Sequence, residues 1–325
     1  MARDLERLAA GLRGFLPNGK DVTRVVGLST GHSNETYLVE GVNLILRMPP
    51  SEEGLLPPYD MAREHGILAA VGGWKDRPPV PRVLQLCMDS AIMGDPFFLM
   101  ERLYGEAYEY SEPDWFQKAT PEMRSDMCAQ WVGAVATVNR APAASMPGPH
   151  ISAVDHATHW RDVAQDADAS RALIEVADEL AKNPPRSSGP DAPVHGDPKL
   201  GNSLWNNCRM VALLDWEMAH VGEPLVDLGY MSCFYDQGDR ALASAGFYAP
   251  GWWSRERLIA EWEAATGRTA FDMRRYEALG LLKISAIVAL GYHLFKVGRA
   301  KDPRFEAWAK VLPGLIELTV ERAEL

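Results

Sequence analysis

One segment constrains this chain more than any other: residues 193–230, with the sequence PVHGDPKLGNSLWNNCRMVALLDWEMAHVGEPLVDLGY. Three of its polar residues, Asp197, Asn202 and Asp215, follow one another at a spacing that suggests a common role. Asn202 follows Asp197 by five positions, and Asp215 follows Asn202 by thirteen. Turn-forming and apolar residues alternate along the segment, which predicts a strand, a loop and a hairpin. We expect this local structure to bring the three polar side chains together.

Phosphoryl transfer requires these residue types in this order. The charge on a departing phosphoryl group must be neutralised by metal ions, and the accepting hydroxyl must be held in line. In such a site Asp197 accepts the hydroxyl proton, Asn202 binds one Mg²⁺, and Asp215 bridges the metal ions and the phosphates of ATP. Asp and Asn also form ordinary turns, but His195-Gly196 before the loop and Asp-Trp-Glu after it favour a catalytic segment.

The pattern HGD-x-x-x-x-N followed by DWE resembles the aminoglycoside phosphotransferase family, in particular the branch found fused to acyl-CoA dehydrogenase domains. The resemblance implies an α+β, protein-kinase-like fold with two lobes. Residues 1–103 would form a small antiparallel β lobe with one helix that binds nucleotide. Residues 104–325 would form a larger, mainly helical lobe that binds the acceptor. The implied cofactors are ATP and Mg²⁺, and the implied acceptor is a small-molecule alcohol.

The template also requires a cation and a carboxylate for the nucleotide phosphates. The cation is expected at Arg47 on the third strand, where kinases generally have lysine. Glu64 lies on the apolar face of a predicted helix, so it needs a cationic partner, and Arg47 is the natural one. A polar loop between the first two strands suits a flap over phosphates, although an ordinary hairpin turn fits it as well. Further contacts to nucleotide are expected from Ser29, Gly31, Ser33, Asn34, Met100, Glu101 and Leu103.

Four residues near the central triplet have secondary predicted roles. Lys199 is expected to offset charge on the transferred phosphoryl group, and His195 to orient the loop through a hydrogen bond. Asp227, at a helix start, is expected to accept backbone N–H bonds and brace the catalytic turn. Glu217 is a weaker candidate for contact with metal or substrate. A lysine at position 199 could equally be an ordinary surface residue.

Hydrophobic periodicity and turn residues give the remaining elements. The predicted strands cover 21–28, 35–40, 43–48, 81–87, 96–103, 203–205 and 210–214. The predicted helices cover 4–15, 61–71, 120–139, 152–166, 170–182, 224–236, 254–266, 272–297 and 305–323.

Composition limits the partners. The net charge of −11 argues against nucleic acid or an anionic membrane. Four scattered cysteines and an N-terminal stretch without a signal-like apolar core favour a reduced, cytoplasmic setting. The apolar stretch 278–295 contains Lys283 and His293, so we expect a buried helix rather than a membrane span. Numerous aromatic residues after position 250 favour an acceptor with an apolar part, such as a hydroxyacyl compound, over a polycation.

Two other functions fit parts of the sequence. A catalytically silent, pseudokinase-like module would bind nucleotide only, and the arginine at position 47 is the one feature that favours it. A metal-dependent hydrolase could use His195, Asp197 and Asp215 as ligands, but transition-metal sites usually contain more histidine. The retained triplet favours the kinase hypothesis over both.

Overall fold

The computed structural model describes residues 3–28, 34–52, 54–108, 112–237 and 245–324, without the side chains of residues 245 and 246. The predicted loop residues Ser29, Gly31 and Ser33 lie outside the described residues.

The chain divides into two compact units. The first consists of Met1–Gly73 and Val80–Leu103, and the second of Trp74–Pro79 and Tyr104–Leu325. The sequence places segment 74–79 with the smaller unit, whereas the structure groups it with the larger one. One of its contacts there is a hydrogen bond from the Leu213 amide to the Pro79 carbonyl over 2.7 Å.

The first unit is built on an antiparallel sheet. Its strands are β1 (Val25–Gly27), β2 (Glu35–Val39), β3 (Leu44–Met48), β4 (Val83–Cys87) and β5 (Phe97–Glu101). They lie in the order β1-β2-β3-β5-β4. Its helices are α1 (Leu5–Phe15), α2 (Met61–Gly72) and the short α3 (Ser90–Met93).

Sequence signals set the position of the helices on this sheet. The Asp60 side chain accepts a hydrogen bond from the Arg63 amide, which starts α2 where the sequence predicts it. Leu8 and Leu12 form the apolar stripe of α1 and pack with Leu46 of β3 and with β5 in one buried cluster. Removing this apolar surface from water is the main stabilising contribution in this unit.

The second unit is mainly helical. Its helices are α4 (Asp114–Gln117), α5 (Pro121–Asn139), α6 (Ala153–Asp166), α7 (Arg171–Lys182), α8 (Leu225–Ser232), α9 (Arg255–Thr266), α10 (Met273–Lys296) and α11 (Pro303–Ala323). Helix α10 packs against α6, α7, α8 and α11, so it is the central helix of this unit. It is also the one described helix long and apolar enough to span a membrane, and 72% of its most apolar window is buried inside the structure.

Two small sheets accompany these helices. One contains β6 (Glu106–Ala107), β9 (Ser203–Asn206) and β10 (Arg209–Leu213), and the other β7 (His150–Ile151), β8 (Ala192–Val194) and β11 (His220–Gly222). The antiparallel pair β9–β10 confirms the predicted hairpin. Asn207, in its turn, has a φ of 54°, a left-handed value that asparagine tolerates better than most residues.

Candidate active site

Strand β8 leads into a tight turn at His195, Gly196 and Asp197. Gly196 has a φ of +85°, and a Cβ at this position would lie 2.4 Å from the carbonyl oxygen of Met218. Both facts exclude other residues, because L-amino acids disfavour this backbone region and the space is already filled. The backbone conformation of this turn therefore largely determines where the Asp197 side chain points.

Asp227 braces this turn from one side. Its Oδ2 accepts the His195 amide and its Oδ1 accepts the Gly196 amide, each over 2.8 Å. Oδ2 also accepts the Nδ2 group of Asn139 over 2.8 Å, and the Asp227 side chain has no exposed surface. The predicted bracing of the catalytic turn is confirmed. The contribution of Asn139 was not predicted, because an asparagine near the end of a helix carries no distinctive sequence signal.

His195 is fully buried and has a partner at each ring nitrogen. Nε2 lies 3.0 Å from the Leu214 carbonyl, to which it donates, and Nδ1 accepts the Asp197 amide over 3.2 Å. Burial lowers the pKa of His195 against the opposing effect of Asp227, so the ring is neutral. This geometry supports orientation of the loop rather than proton transfer by His195, although the sequence placed it among the catalytic residues.

Asn202 fixes the Asp197 carboxylate. Its Nδ2 group donates to Asp197 Oδ2 over 2.8 Å and to the Asp197 carbonyl over 2.9 Å. The Leu214 amide donates to the Asn202 carbonyl over 2.7 Å, which brings the neighbouring Asp215 close to Asn202. The structure thus gathers all three members of the predicted triplet within one unit.

The second oxygen of Asp197 has a different environment. Oδ1 is buried and accepts no hydrogen bond of ordinary geometry from the described residues. The Lys283 ammonium lies 3.5 Å from this oxygen, and the Tyr230 hydroxyl also interacts with the Asp197 carboxylate. Burial would raise the pKa of Asp197, but Lys283, Lys199 and Tyr230 outweigh it, so the pKa lies well below its usual range. Asp197 is therefore an anion. Asn202 holds one of its oxygens, and the other lies beside the Lys283 ammonium.

Asp215 adopts an unusual backbone conformation. Its φ of 66° and ψ of 67° are left-handed, and it precedes a one-turn 3-10 helix at Trp216–Met218 that contains the half-buried Glu217. A non-glycine residue in this region costs about 1 kcal/mol or more, and such residues cluster at functional sites. Trp216 packs on the His195 ring with centroids 4.6 Å apart, as expected for a packing residue. The strained conformation thus sets the direction of the half-buried Asp215 carboxylate.

Oxygen donors at this site suit a hard cation. The amide oxygen of Asn202 and the carboxylate of Asp215 are ligands of the kind that Mg²⁺ prefers. Among the residues that the structure describes, no group of three His, Cys, Asp or Glu side chains could hold a metal ion. Since both nitrogens of His195 are engaged with the backbone, the hydrolase hypothesis loses its histidine ligand.

Lys283 is a site residue that sequence reasoning missed. It lies on α10 with 5% of its surface exposed, and its Nζ donates to the Gly196 carbonyl over 2.6 Å. The ammonium also lies 4.4 Å from the centroid of the Tyr230 ring and 5.9 Å from that of Trp160. In the sequence this lysine only interrupts an apolar stretch. A buried lysine requires a partner, and that requirement was the available signal.

The first unit contains the predicted ion pair. Arg47 Nε lies 3.1 Å from Glu64 Oε1, and both side chains are largely buried. Arg47 Nη1 donates to Thr36 Oγ1 over 3.0 Å, and the Nδ2 group of Asn34 donates to Glu64 Oε2 over 2.9 Å. The pairing of Arg47 with Glu64 is confirmed. Asn34, expected at the nucleotide, is buried at the start of β2 and orients Glu64.

The remaining predicted contacts lie near the end of β5. Met100 and Glu101 are its last residues, and Leu103 follows two positions later. Oε1 of Glu101 accepts the Arg82 amide over 2.8 Å, so this side chain is engaged within the sheet. Adenine recognition here would use backbone groups and stays a prediction. Lys199, half-buried before the 3-10 turn at Leu200–Asn202, acts on Asp197 through its charge, and its contact with phosphate also stays a prediction.

The sequence and the fold are similar to those of known proteins. The model of the phosphotransferase enzyme family (APH) matches residues 24–279. Human acyl-CoA dehydrogenase family member 11 is 28% identical over 324 residues, which covers 94% of this chain and 41% of that protein. The chain thus spans well under half the length of this curated relative.

Solved structures show the same fold. A Ralstonia eutropha protein assigned as an aminoglycoside phosphotransferase superposes with a TM-score of 0.75 at 22% identity, covering 99% of both chains. The GDP complex of aminoglycoside 2'-phosphotransferase-IIIa superposes with a TM-score of 0.64 at 15% identity, again covering 99% of both chains. At these identities the likeness concerns the fold.

Proposed function

The chain belongs to the phosphotransferase enzyme family, and on that premise we propose that it transfers the γ-phosphoryl group of ATP to a hydroxyl group of a small molecule. The observation that carries the proposal is the state of Asp197. One carboxylate oxygen is held by Asn202 over 2.8 Å, and the other lies buried 3.5 Å from the Lys283 ammonium. The carboxylate, whose side chain is 14% exposed, is thereby a fixed anion that can orient an acceptor hydroxyl and take its proton.

Asp197 acts mainly by orientation. Its lowered pKa makes it a weak base, so it holds the acceptor hydroxyl in line and takes the proton as the oxygen–phosphorus bond forms. Asn202 and Asp215 would hold Mg²⁺, which supplies positive charge to the phosphate oxygens when bound. Lys199 adds a further positive charge that acts on Asp197.

Arg47 and Glu64 provide the nucleotide-phosphate contact of the first unit in this proposal. Glu64 holds Nε of the guanidinium over 3.1 Å, and Thr36 receives Nη1 over 3.0 Å. Because arginine remains charged at any physiological pH, the guanidinium would supply positive charge to the phosphate oxygens. Kinases generally have a lysine at this position, which carries a single point charge. Arginine at position 47 keeps the positive charge but changes the geometry of the contact with phosphate.

The proposed acceptor is an alcohol with an apolar part, with hydroxyacyl compounds as one class. Trp160 and Tyr230 flank the Lys283 ammonium beside Asp197. The Lys283 cation beside Asp197 disfavours an ammonium group of the acceptor near this carboxylate. The name of the human relative, an acyl-CoA dehydrogenase family member, supports an acyl-containing acceptor.

The test is an assay of nucleotide consumption with ATP and GTP against aminoglycosides, macrolides, amino alcohols and hydroxyacyl compounds. We expect Asp197→Ala to lower turnover with the true acceptor by at least about 100-fold, as loss of a general base does. Nucleotide affinity should change little. The matched control is Asp166→Ala, which removes an exposed carboxylate of the same unit and should leave turnover intact. Full activity of the Asp197 variant would contradict the assigned role.

The second candidate is a nucleotide-binding module without transferase activity. The arginine at position 47, in place of the usual lysine, is the observation that favours it. Binding of ATP by the wild-type protein, with no phosphorylated product from any alcohol of the panel, would establish this function instead.

A further inference from the structure

We propose that Lys283 is a positioning residue that clamps the same catalytic turn that Asp227 braces. This inference rests on the proposed phosphotransferase function, because it assigns Lys283 a part in the same reaction. It concerns an ammonium group on the central helix α10, in a stretch that is otherwise apolar.

Both the N–H groups and a carbonyl group of the turn are bound by charged side chains. Asp227 accepts the amides of His195 and Gly196, each over 2.8 Å. Lys283 donates to the carbonyl of Gly196 over 2.6 Å. A carboxylate thus binds the N–H groups and an ammonium binds the C=O group of consecutive peptide units. Hydrogen bonds that involve a charged partner are stronger than neutral ones, so this pair of contacts restricts the turn tightly.

The same ammonium also faces the reacting carboxylate. Nζ lies 3.5 Å from Asp197 Oδ1, while Asn202 occupies Oδ2 over 2.8 Å. The carboxylate therefore has a fixed amide on one oxygen and a fixed cation beside the other. Rotation of the Asp197 side chain would break the first contact and separate the charges of the second. Lys283 acts through Gly196 and Asp197, and it requires no contact with substrate.

Packing alone gives no reason for a lysine at this position. Burial of an ammonium carries a large desolvation penalty, and an apolar side chain would avoid it in a helix surrounded by apolar neighbours. Here the ammonium lies over the face of Tyr230 at 4.4 Å and near Trp160 at 5.9 Å, which offsets part of that penalty. The remaining interactions are directed at the catalytic turn.

The test compares Lys283→Met with the wild-type full chain in two measurements. Met keeps the length of the side chain and removes the charge and the donor. Hydrogen exchange of the amides at positions 195–197 should accelerate by about tenfold or more, because a charge-assisted contact is lost. Turnover with the acceptor should fall by about 100-fold, as expected for a misplaced reactive group, while the KM for ATP stays within about twofold.

The control is Ser285→Ala, which removes another buried polar group of α10, one that pairs with Thr319 over 3.1 Å. It should leave exchange at 195–197 unchanged. If Lys283→Met does not fold, Lys283→Gln, which keeps a neutral polar head, replaces it in both measurements.

If the wild-type protein is active, the proposal requires that Lys283→Met both accelerates exchange at 195–197 and lowers turnover. Either effect without the other overturns the proposal. Faster exchange with unchanged turnover would make the clamp irrelevant to the reaction, and slower turnover with unchanged exchange would make Lys283 act directly. If wild-type protein phosphorylates no acceptor, the proposed function fails by itself. Exchange at 195–197 then decides whether the clamp exists, and unchanged exchange overturns it.

Discussion

A buried polar residue with a complete set of partners stabilises one local conformation strongly, and Asp227 is the clearest case in this protein. Its carboxylate has no exposed surface and accepts three N–H donors, from His195, Gly196 and Asn139. Asn139 is in turn fixed by Trp262, whose Nε1 donates to its Oδ1 over 2.9 Å. The geometry of the catalytic turn therefore depends on residues far apart in the sequence.

We predict that Asp227→Ala lowers the free energy of unfolding by about 3–5 kcal/mol, because three buried donors lose their acceptor. Urea unfolding followed by circular dichroism measures the change. The control is Asp178→Ala, which removes an exposed carboxylate 3.3 Å from Arg161 and should cost less than about 1 kcal/mol. Similar losses for both variants would show that Asp227 does not brace the turn.

At the scale of elements, local signals predicted most boundaries and tertiary contacts explain the exceptions. The starts of α1 and α2, capped by Asp4 and Asp60, and the hairpin turn at 206–207 are encoded within a few residues, and the two helices begin within one residue of the predicted starts. The predicted strand 21–28 is longer than the observed β1, and its first predicted residue, Asp21, belongs to a 3-10 turn at Gly19–Asp21. The two-lobed, kinase-like fold itself is confirmed by the solved structures.

The residues of the candidate site also fall into two groups, those that local sequence patterns predict and those that tertiary packing brings in. Asp197, Asn202, Asp215, Arg47 and Glu64 belong to spaced patterns, so a single sequence is enough to predict them. The partners that fix them do not form such patterns. The contacts of Lys283 and Asn139 arise from helix packing, which the sequence pattern does not specify.

Helices α8 and α10 approach closely through glycine, and this contact places Asp227, Tyr230 and Lys283 in one region. A Cβ on Gly229 would lie 2.6 Å from backbone atoms of Tyr276 on α10. We predict that Gly229→Ala separates the two helices and destabilises the protein by about 1–3 kcal/mol, the usual range for overpacking. Thermal unfolding and turnover should both report the change.

The matched control is Gly133→Ala on α5, where an added Cβ meets no atom within 4 Å. Alanine there should be neutral or stabilise by about 0.5–1 kcal/mol, because glycine loses more backbone entropy in a helix. Equal destabilisation by both substitutions would indicate a helix-propensity effect and contradict the packing argument.

For the whole molecule, pH dependence follows from histidines that the fold keeps neutral. The pKa is lowered, chiefly by burial, at His65 in the first unit and at His156, His159 and His195 in the second. Such groups bind protons more readily in the unfolded chain than in the folded one. The free energy of unfolding must therefore fall as the pH drops below about 6.5, the ordinary histidine pKa.

His156 gives the sharpest form of this prediction. Its Nε2 lies 3.0 Å from Nε2 of His220, whose Nδ1 lies 3.0 Å from the Met218 carbonyl. That network assigns the proton on His220 to Nδ1, so its Nε2 accepts from a neutral His156. Burial is the main cause of the lowered pKa of His156, and the charges of His220 and Lys283 add to it. If both facing Nε2 atoms carried a proton, neither could accept a hydrogen bond from the other.

We predict that the His156→Gln variant, which keeps a donor near His220 and cannot titrate, loses less stability on acidification than the wild type. Between pH 8 and pH 5 the difference in the fall of the unfolding free energy should be about 2 kcal/mol, the linkage contribution of one histidine that stays neutral in the folded state. Urea unfolding at both pH values measures it. Equal losses in the two proteins would mean that His156 accepts a proton without unfolding, and the neutral pair would then be wrong.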